Sequence, residues 1–123
     1  MIAVDFDITA ARFGEDHSQY LSARLVADRL GVTLAELAKL IGVARNTLTA
    51  KSGVRKVDSA LSQVVRILAM ASEMAGDETR AVIWFKHQPI PGWAGKTAYD
   101  LVGEGKADKV LAYLESVRAG VYS

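Results

Sequence analysis

From Ser18 onward the apolar residues recur at three- and four-residue spacing, the period of a helix with one buried face. Leu21, Leu25, Val26 and Leu30 form the first stripe, which Gly31 ends. Thr33 is placed to cap a helix starting at Leu34, with Glu36 completing a capping box, and Gly42 closes that helix after Ile41. A second short helix fits Ala44 to about Lys51 and stops at Ser52-Gly53. Asp58 caps a long helix with Leu61, Val64, Val65 and Leu68 on one face and Gly76 as terminator. Asp77 opens the next, which runs through Ala81 to about Phe85.

The segment KHQPIPGWAG holds both prolines and two glycines, so it reads as loop. Thr97 caps a short helix through Asp100 and Leu101. The last helix runs from about Asp108 to Ala119, buries Val110, Leu111, Leu114 and Val117, and ends at Gly120. Residues 1–17 fit this scheme least: Ile2, Val4, Phe6 and Ile8 alternate like a strand, but a lone strand is unstable, so the segment reads as a loosely held arm. The expected fold class is all-α.

Composition narrows the function. Half of the 123 residues are hydrophobic and 24% are charged, the balance of a globular chain and not of a disordered one. The length suits one ordinary domain or two very small ones. The absence of cysteine excludes a disulfide framework, a thiolate metal site and a cysteine nucleophile. No apolar run reaches the ~20 residues of a membrane span, and the opening MIAVDFDITA carries acids where a signal peptide carries basic residues. The expectation is a cytoplasmic protein with no membrane partner.

The net charge of +1 is unevenly spread. Residues 1–23 sum to −3, residues 24–66 to +5 and residues 67–123 to −1. Only the middle third has a field that attracts a polyanion. Within it, residues 34–53 read LAELAKLIGVARNTLTAKSG. Two helices meeting at a sharp angle need a small residue at their closest approach, which Ala38 supplies, and a turn that tolerates positive φ, which Gly42 supplies. Leu37, Ile41, Val43 and Leu48 are placed to fill the angle.

The second of these helices is expected in a DNA major groove. Arg45 and Asn46 stand at its start, where arginine pairs with a guanine edge and asparagine with an adenine edge. Thr47, Thr49, Lys51, Arg55 and Lys56 are placed to reach phosphates. The stretch resembles the Xre and phage-repressor class of helix-turn-helix over about residues 20–66, within an expected DNA-binding domain of residues 18–66.

Behind it, Trp84, Phe85 and Trp93 surround the proline-rich loop, which large side chains of this kind pack down. The succession Ala81, Trp84-Phe85, Pro89-Ile90-Pro91-Gly92, Gly95-Lys96-Thr97, Asp100-Leu101, Gly105, Val110, Leu114 and Gly120-Val121-Tyr122 resembles the toxin-binding domain of Xre/MbcA/ParS antitoxins. Ala98 departs from the pattern: it stands where the family usually has a proline after the opening threonine, which removes a preferred first-turn residue without blocking the helix.

The resemblance implies a toxin-binding domain over residues 67–123. It implies as partner a cognate toxin of the RES class, which consumes NAD or uses it to ADP-ribosylate. The antitoxin would cover that toxin's active-site cleft with Trp84, Phe85, Trp93 and the tail Gly120, Val121, Tyr122 and Ser123. An anionic chain end entering a site built for pyrophosphate has an electrostatic reason to bind. The helix-turn-helix would bind operator DNA and autorepress the operon, with a homodimer as the expected form.

No enzymatic constellation emerges. His17 and His87 lack a carboxylate at metal-ligand spacing, and the Gly-Lys-Thr of PGWAGKT lacks the glycine spacing and preceding strand of a phosphate loop. The sequence therefore implies no catalytic residue, no metal and no cofactor. A stand-alone helix-turn-helix regulator with a C-terminal dimerisation or partner-binding domain is the alternative that the same residues allow.

Overall fold

The computed structural model describes residues 23–49 and 54–120. The expected arm at 1–17 and the stripe residue Leu21 lie outside these. Among the described residues there are seven helices and no strand, and the fold is all-α. In chain order they are α1 (Ala23–Leu30), α2 (Leu34–Ile41), α3 (Arg45–Thr49), α4 (Val54–Ala75), α5 (Glu78–His87), α6 (Ala98–Gly103) and α7 (Ala107–Arg118). Two compact units divide the chain, Met1–Val65 and Arg66–Ser123, and the division falls within α4.

In the first unit α1 packs on α2 and α2 on α3. The face that α1 buries is Ala23, Val26, Ala27 and Leu30. Leu25, expected on that stripe, is 40% exposed; it lies beside the face that this short helix turns inward. Similarly Leu40, and not Ile41, is the fully buried residue at the end of α2.

The capping box of α2 is complete: the Glu36 amide donates to Thr33 Oγ1 at 3.0 Å and the Thr33 amide donates to Glu36 Oε1 at 2.8 Å. A cap of this kind stabilises a helix by about 1 kcal/mol. Helix α4 starts at Val54, so Asp58 lies a turn inside it and does not cap it. The reason is that Val57, itself buried, continues the stripe of Leu61, Val64 and Leu68 one turn upstream.

In the second unit α5 packs on α6 and α6 on α7. Asp77 caps α5 by accepting from the Arg80 amide at 2.7 Å. The helix continues past Phe85 to His87, with Lys86 and His87 in its last turn, where positive charge suits the carbonyl end. Pro89 then precludes further helix. Ala98, Leu101, Val102, Ala107, Val110 and Leu114 fill the core from α6 and α7; Leu111 and Val117 remain half-buried. Among the described residues no helix is long and apolar enough to cross a membrane.

Candidate functional site

The turn between α2 and α3 is built from the backbone. Gly42 adopts φ 75° and ψ 33°, the left-handed region. There its amide donates to the Lys39 carbonyl at 3.2 Å, and the Val43 amide donates to the Ala38 carbonyl at 2.9 Å. This pair of bonds is the Schellman closure, which ends α2 and turns the chain sharply into α3.

Leu37, Ala38 and Leu48 are buried in the angle, with Ile41 and Val43 half-buried beside them. Arg45 and Asn46 open α3 and are both exposed, while Thr47 is half-buried. An exposed guanidinium and amide on the first turn of a helix are free to meet base edges. Thr49 ends α3, and Arg55 and Lys56 lie in the first turn of α4. Lys51 lies outside the described residues.

The proline-rich loop is ordered by two successive tight turns. Across Ile90-Pro91-Gly92-Trp93 the Trp93 amide donates to the Ile90 carbonyl at 3.2 Å, with proline second and Gly92 at φ 86°, the arrangement of a type II turn. Across Trp93-Ala94-Gly95-Lys96 the Lys96 amide donates to the Trp93 carbonyl at 3.0 Å, with Ala94 at φ 54° and Gly95 at φ 82°. Two consecutive positive φ values mark a type I′ turn. Ala94 is the one described non-glycine residue with positive φ.

The base of the loop is closed by an isolated antiparallel bridge between Pro89 and Thr97, and by the Ile90 amide donating to the Lys96 carbonyl at 2.8 Å. Ile90 is buried and anchors the loop, whereas Pro91 and Gly92 are exposed and Trp93 is half-buried.

Side chains then tie the loop to the corner between α6 and α7. Glu104 accepts from Lys96 Nζ at 2.7 Å and from Lys106 Nζ at 3.2 Å. Lys106 Nζ also lies 5.5 Å from the centroid of the Trp93 ring, within cation–π range. The hydrogen bond from Lys96, and after it that from Lys106, holds the Glu104 carboxyl below its ordinary value. With Lys96 paired in this way, and the Thr97 hydroxyl accepting from the Asp100 amide at 3.1 Å, the Gly-Lys-Thr sequence serves loop and helix cap.

Of the aromatic residues expected to face a partner, Trp84 and Trp93 are half-buried. Phe85 has no exposed surface. It belongs to the core, which is the loop-packing role its size suggested, and it does not present its ring to a partner.

At the far end, Arg118 bridges Glu115 at 2.6 Å and Glu73 at 3.6 Å, and Arg66 lies 3.9 Å from Glu115. This chain of alternating charges joins α7 to the second half of α4. Gly120 follows at φ 82°, its amide donating to the Val117 carbonyl at 3.0 Å. Val121, Tyr122 and Ser123 lie outside the described residues.

The Glu104 cluster has no counterpart in the sequence pattern. No spacing rule joins Lys96 to Glu104 across α6, and only the turn geometry brings them together. The reciprocal cap between Thr97 and Asp100 did carry a signal, the threonine-to-acid spacing that also marked Thr33 and Glu36. Among the described residues no group of three histidine, cysteine, aspartate or glutamate side chains could hold a metal ion.

Residues 70–120 match the family described as the antitoxin Xre/MbcA/ParS C-terminal toxin-binding domain. A chain of the crystal structure of the M. tuberculosis MbcT-MbcA toxin-antitoxin complex is similar in fold, with a TM-score of 0.57 and 19% identity, over 83% of this chain and 95% of that chain. No curated protein gives a significant match.

Proposed function

We propose, for a chain whose residues 70–120 match the Xre/MbcA/ParS antitoxin toxin-binding domain family, that it is an antitoxin that binds a cognate toxin through its second unit and operator DNA through its first. The observation that carries this reading is the family match over residues 70–120, which follows two short helices joined by the tight turn at Gly42. The similarity in fold to a chain of the MbcT-MbcA toxin-antitoxin complex supports the toxin-binding part of it.

In this proposal the surface around Trp84 and Trp93 meets a toxin of the RES class, and residues 120–123 enter its active-site cleft and keep NAD out. Phe85 supports that surface from the core. The role is stoichiometric inhibition, and it requires no catalytic group, metal or cofactor on this chain.

Arg45 and Asn46 read the operator, and Thr47, Thr49, Lys51, Arg55 and Lys56 contact its phosphates. Their exposure on the first turn of α3 supports the assignment of the first two. A dimer bound to a two-fold operator would let the toxin–antitoxin complex repress its own genes.

The test is to express the chain together with a RES-type reading frame adjacent to its own gene, and to follow growth and cellular NAD. Protection from NAD loss, together with co-purification of the two proteins, is the expected result. If growth arrest persists with the chain folded and abundant, the reading fails, and the stand-alone regulator replaces it.

A further inference from the structure

Three features of the loop at residues 89–97 meet at one carboxylate. The backbone fixes the base of the loop and its two turns. It does not fix how the edge bearing Pro91, Gly92 and Trp93 is held against the rest of the unit. Beside the buried anchor Ile90, a tie at that edge comes from Glu104, which gathers Lys96 from the loop and Lys106 from the start of α7. Lys106 in turn lies over the Trp93 ring at 5.5 Å.

Without the carboxylate, two ammonium groups that now share one acceptor would repel each other, and Lys106 would lose the partner that aims it. The Glu104 side chain keeps 36% of its surface exposed, so its removal opens no cavity in the core. The strained Ala94 backbone at φ 54° lies in the same loop, where surrounding structure must over-determine the shape.

We propose that Glu104 is a positioning residue for partner binding: by holding Lys96 and Lys106 together it sets the Trp93 edge of the loop in the shape that the toxin recognises. It acts through Lys106 and does not itself touch the toxin. The inference rests on the reading that this surface faces a toxin.

The experiment uses the full chain and a purified RES-class toxin that co-purifies with it, with affinity measured by titration calorimetry. Glu104→Gln and Lys106→Met are each expected to weaken binding about two- to fivefold. The double variant is expected to weaken it no further, because both act on one contact. Lys106→Arg, which keeps a cation over the ring, restores the parent affinity.

In a Trp84→Phe background Trp93 is the sole tryptophan, and its emission is expected to shift alike in Glu104→Gln and Lys106→Met without toxin present. Unchanged affinity and unchanged emission in Glu104→Gln overturn the inference. Parent affinity in Trp93→Ala removes the loop edge from the interface and overturns it as well. A parent chain that does not bind the toxin overturns the antitoxin reading itself, and the positioning role with it.

Discussion

The ring of Tyr99 meets that of Phe85 edge-on, with centroids 5.9 Å apart and planes inclined at 74°. One ring comes from α5 and the other from α6, so the contact spans the proline-rich loop and joins the two helices that flank it. Phe85 is fully buried and Tyr99 half-buried. Phe85→Ala is expected to cost about 3–5 kcal/mol, a large fraction of the stability of a small unit. Tyr99→Leu, which keeps apolar bulk but has no ring to set edge-on, is expected to cost about 0.5–1.5 kcal/mol. Urea unfolding followed by circular dichroism measures both.

Arg45→Ala combined with Asn46→Ala is expected to abolish operator-specific binding and leave toxin binding intact. Removing one well-formed bidentate pairing with a base edge costs about 1–3 kcal/mol. Fluorescence anisotropy on operator and on scrambled DNA separates the specific part. The residual binding is expected to weaken steeply with salt, by about −0.9 in log–log slope for each phosphate that Lys51, Arg55 and Lys56 neutralise. A double variant with the parent's specificity would remove α3 from the base-reading role.

Deletion of Gly120 to Ser123 is expected to weaken toxin neutralisation with fold and DNA binding retained. Helix α7 ends at Arg118, before the deletion begins, and is held by charges on its own last turns and on α4. Cellular NAD in cells expressing toxin and truncated chain is the measurement, with circular dichroism as the folding control. Full protection by the truncated chain would leave surface coverage as the whole mechanism.

Ala94→Gly is expected to stabilise the protein. An alanine at φ 54° carries about 1–2 kcal/mol of left-handed strain, and the greater freedom of glycine in the unfolded chain returns about 0.5–1 kcal/mol of that. A net gain of about 0.5–1 kcal/mol follows, readable as a higher thermal midpoint. No gain would mean that the Ala94 methyl makes a compensating contact.

Acidification is expected to release the loop late. The Glu104 carboxyl is held below its ordinary value by Lys96 first and Lys106 second. Its folded pKa is thus lower than its unfolded one, so its contribution is complete above the ordinary carboxylate value. The contribution fades as the pH falls through the lowered folded value. Trp93 emission in the Trp84→Phe background is expected to stay level through the ordinary carboxylate midpoint and to change only below it. A change at or above that midpoint would show that the lysines do not hold the carboxylate.

Much of the fold is legible in the sequence because its helix ends are local. Thr33 with Glu36, Gly42 and Asp77 each act within a few residues, and each stands where its spacing places it. Positions that depend on packing are less legible. Leu25 is exposed, and Leu40 is buried more fully than Ile41, because periodicity marks a face but not how wide a face the neighbours cover. Likewise Asp58 resembles a cap, yet Val57 has a core to enter and extends the helix past it. The loop was legible as a loop from its prolines and glycines. Its turn types and the Glu104 cluster were not, since an alanine at positive φ and pairing across α6 leave no mark in composition or period.

The alternating charges of Arg66, Glu115, Arg118 and Glu73 have a bearing on how this surface tolerates change over generations. Each exposed pair is worth only about 0.2–1 kcal/mol, so the loss of one is easily survived. Reversal of one is different, because Glu115 faces two arginines and Arg118 faces two carboxylates, and a single inverted sign sets like charges against both neighbours. Neutral replacements are therefore open to drift one at a time, whereas inverted charges are accepted only when the opposing positions invert with them. Related chains are expected to show these four positions varying as a correlated set, either faded together or mirrored together.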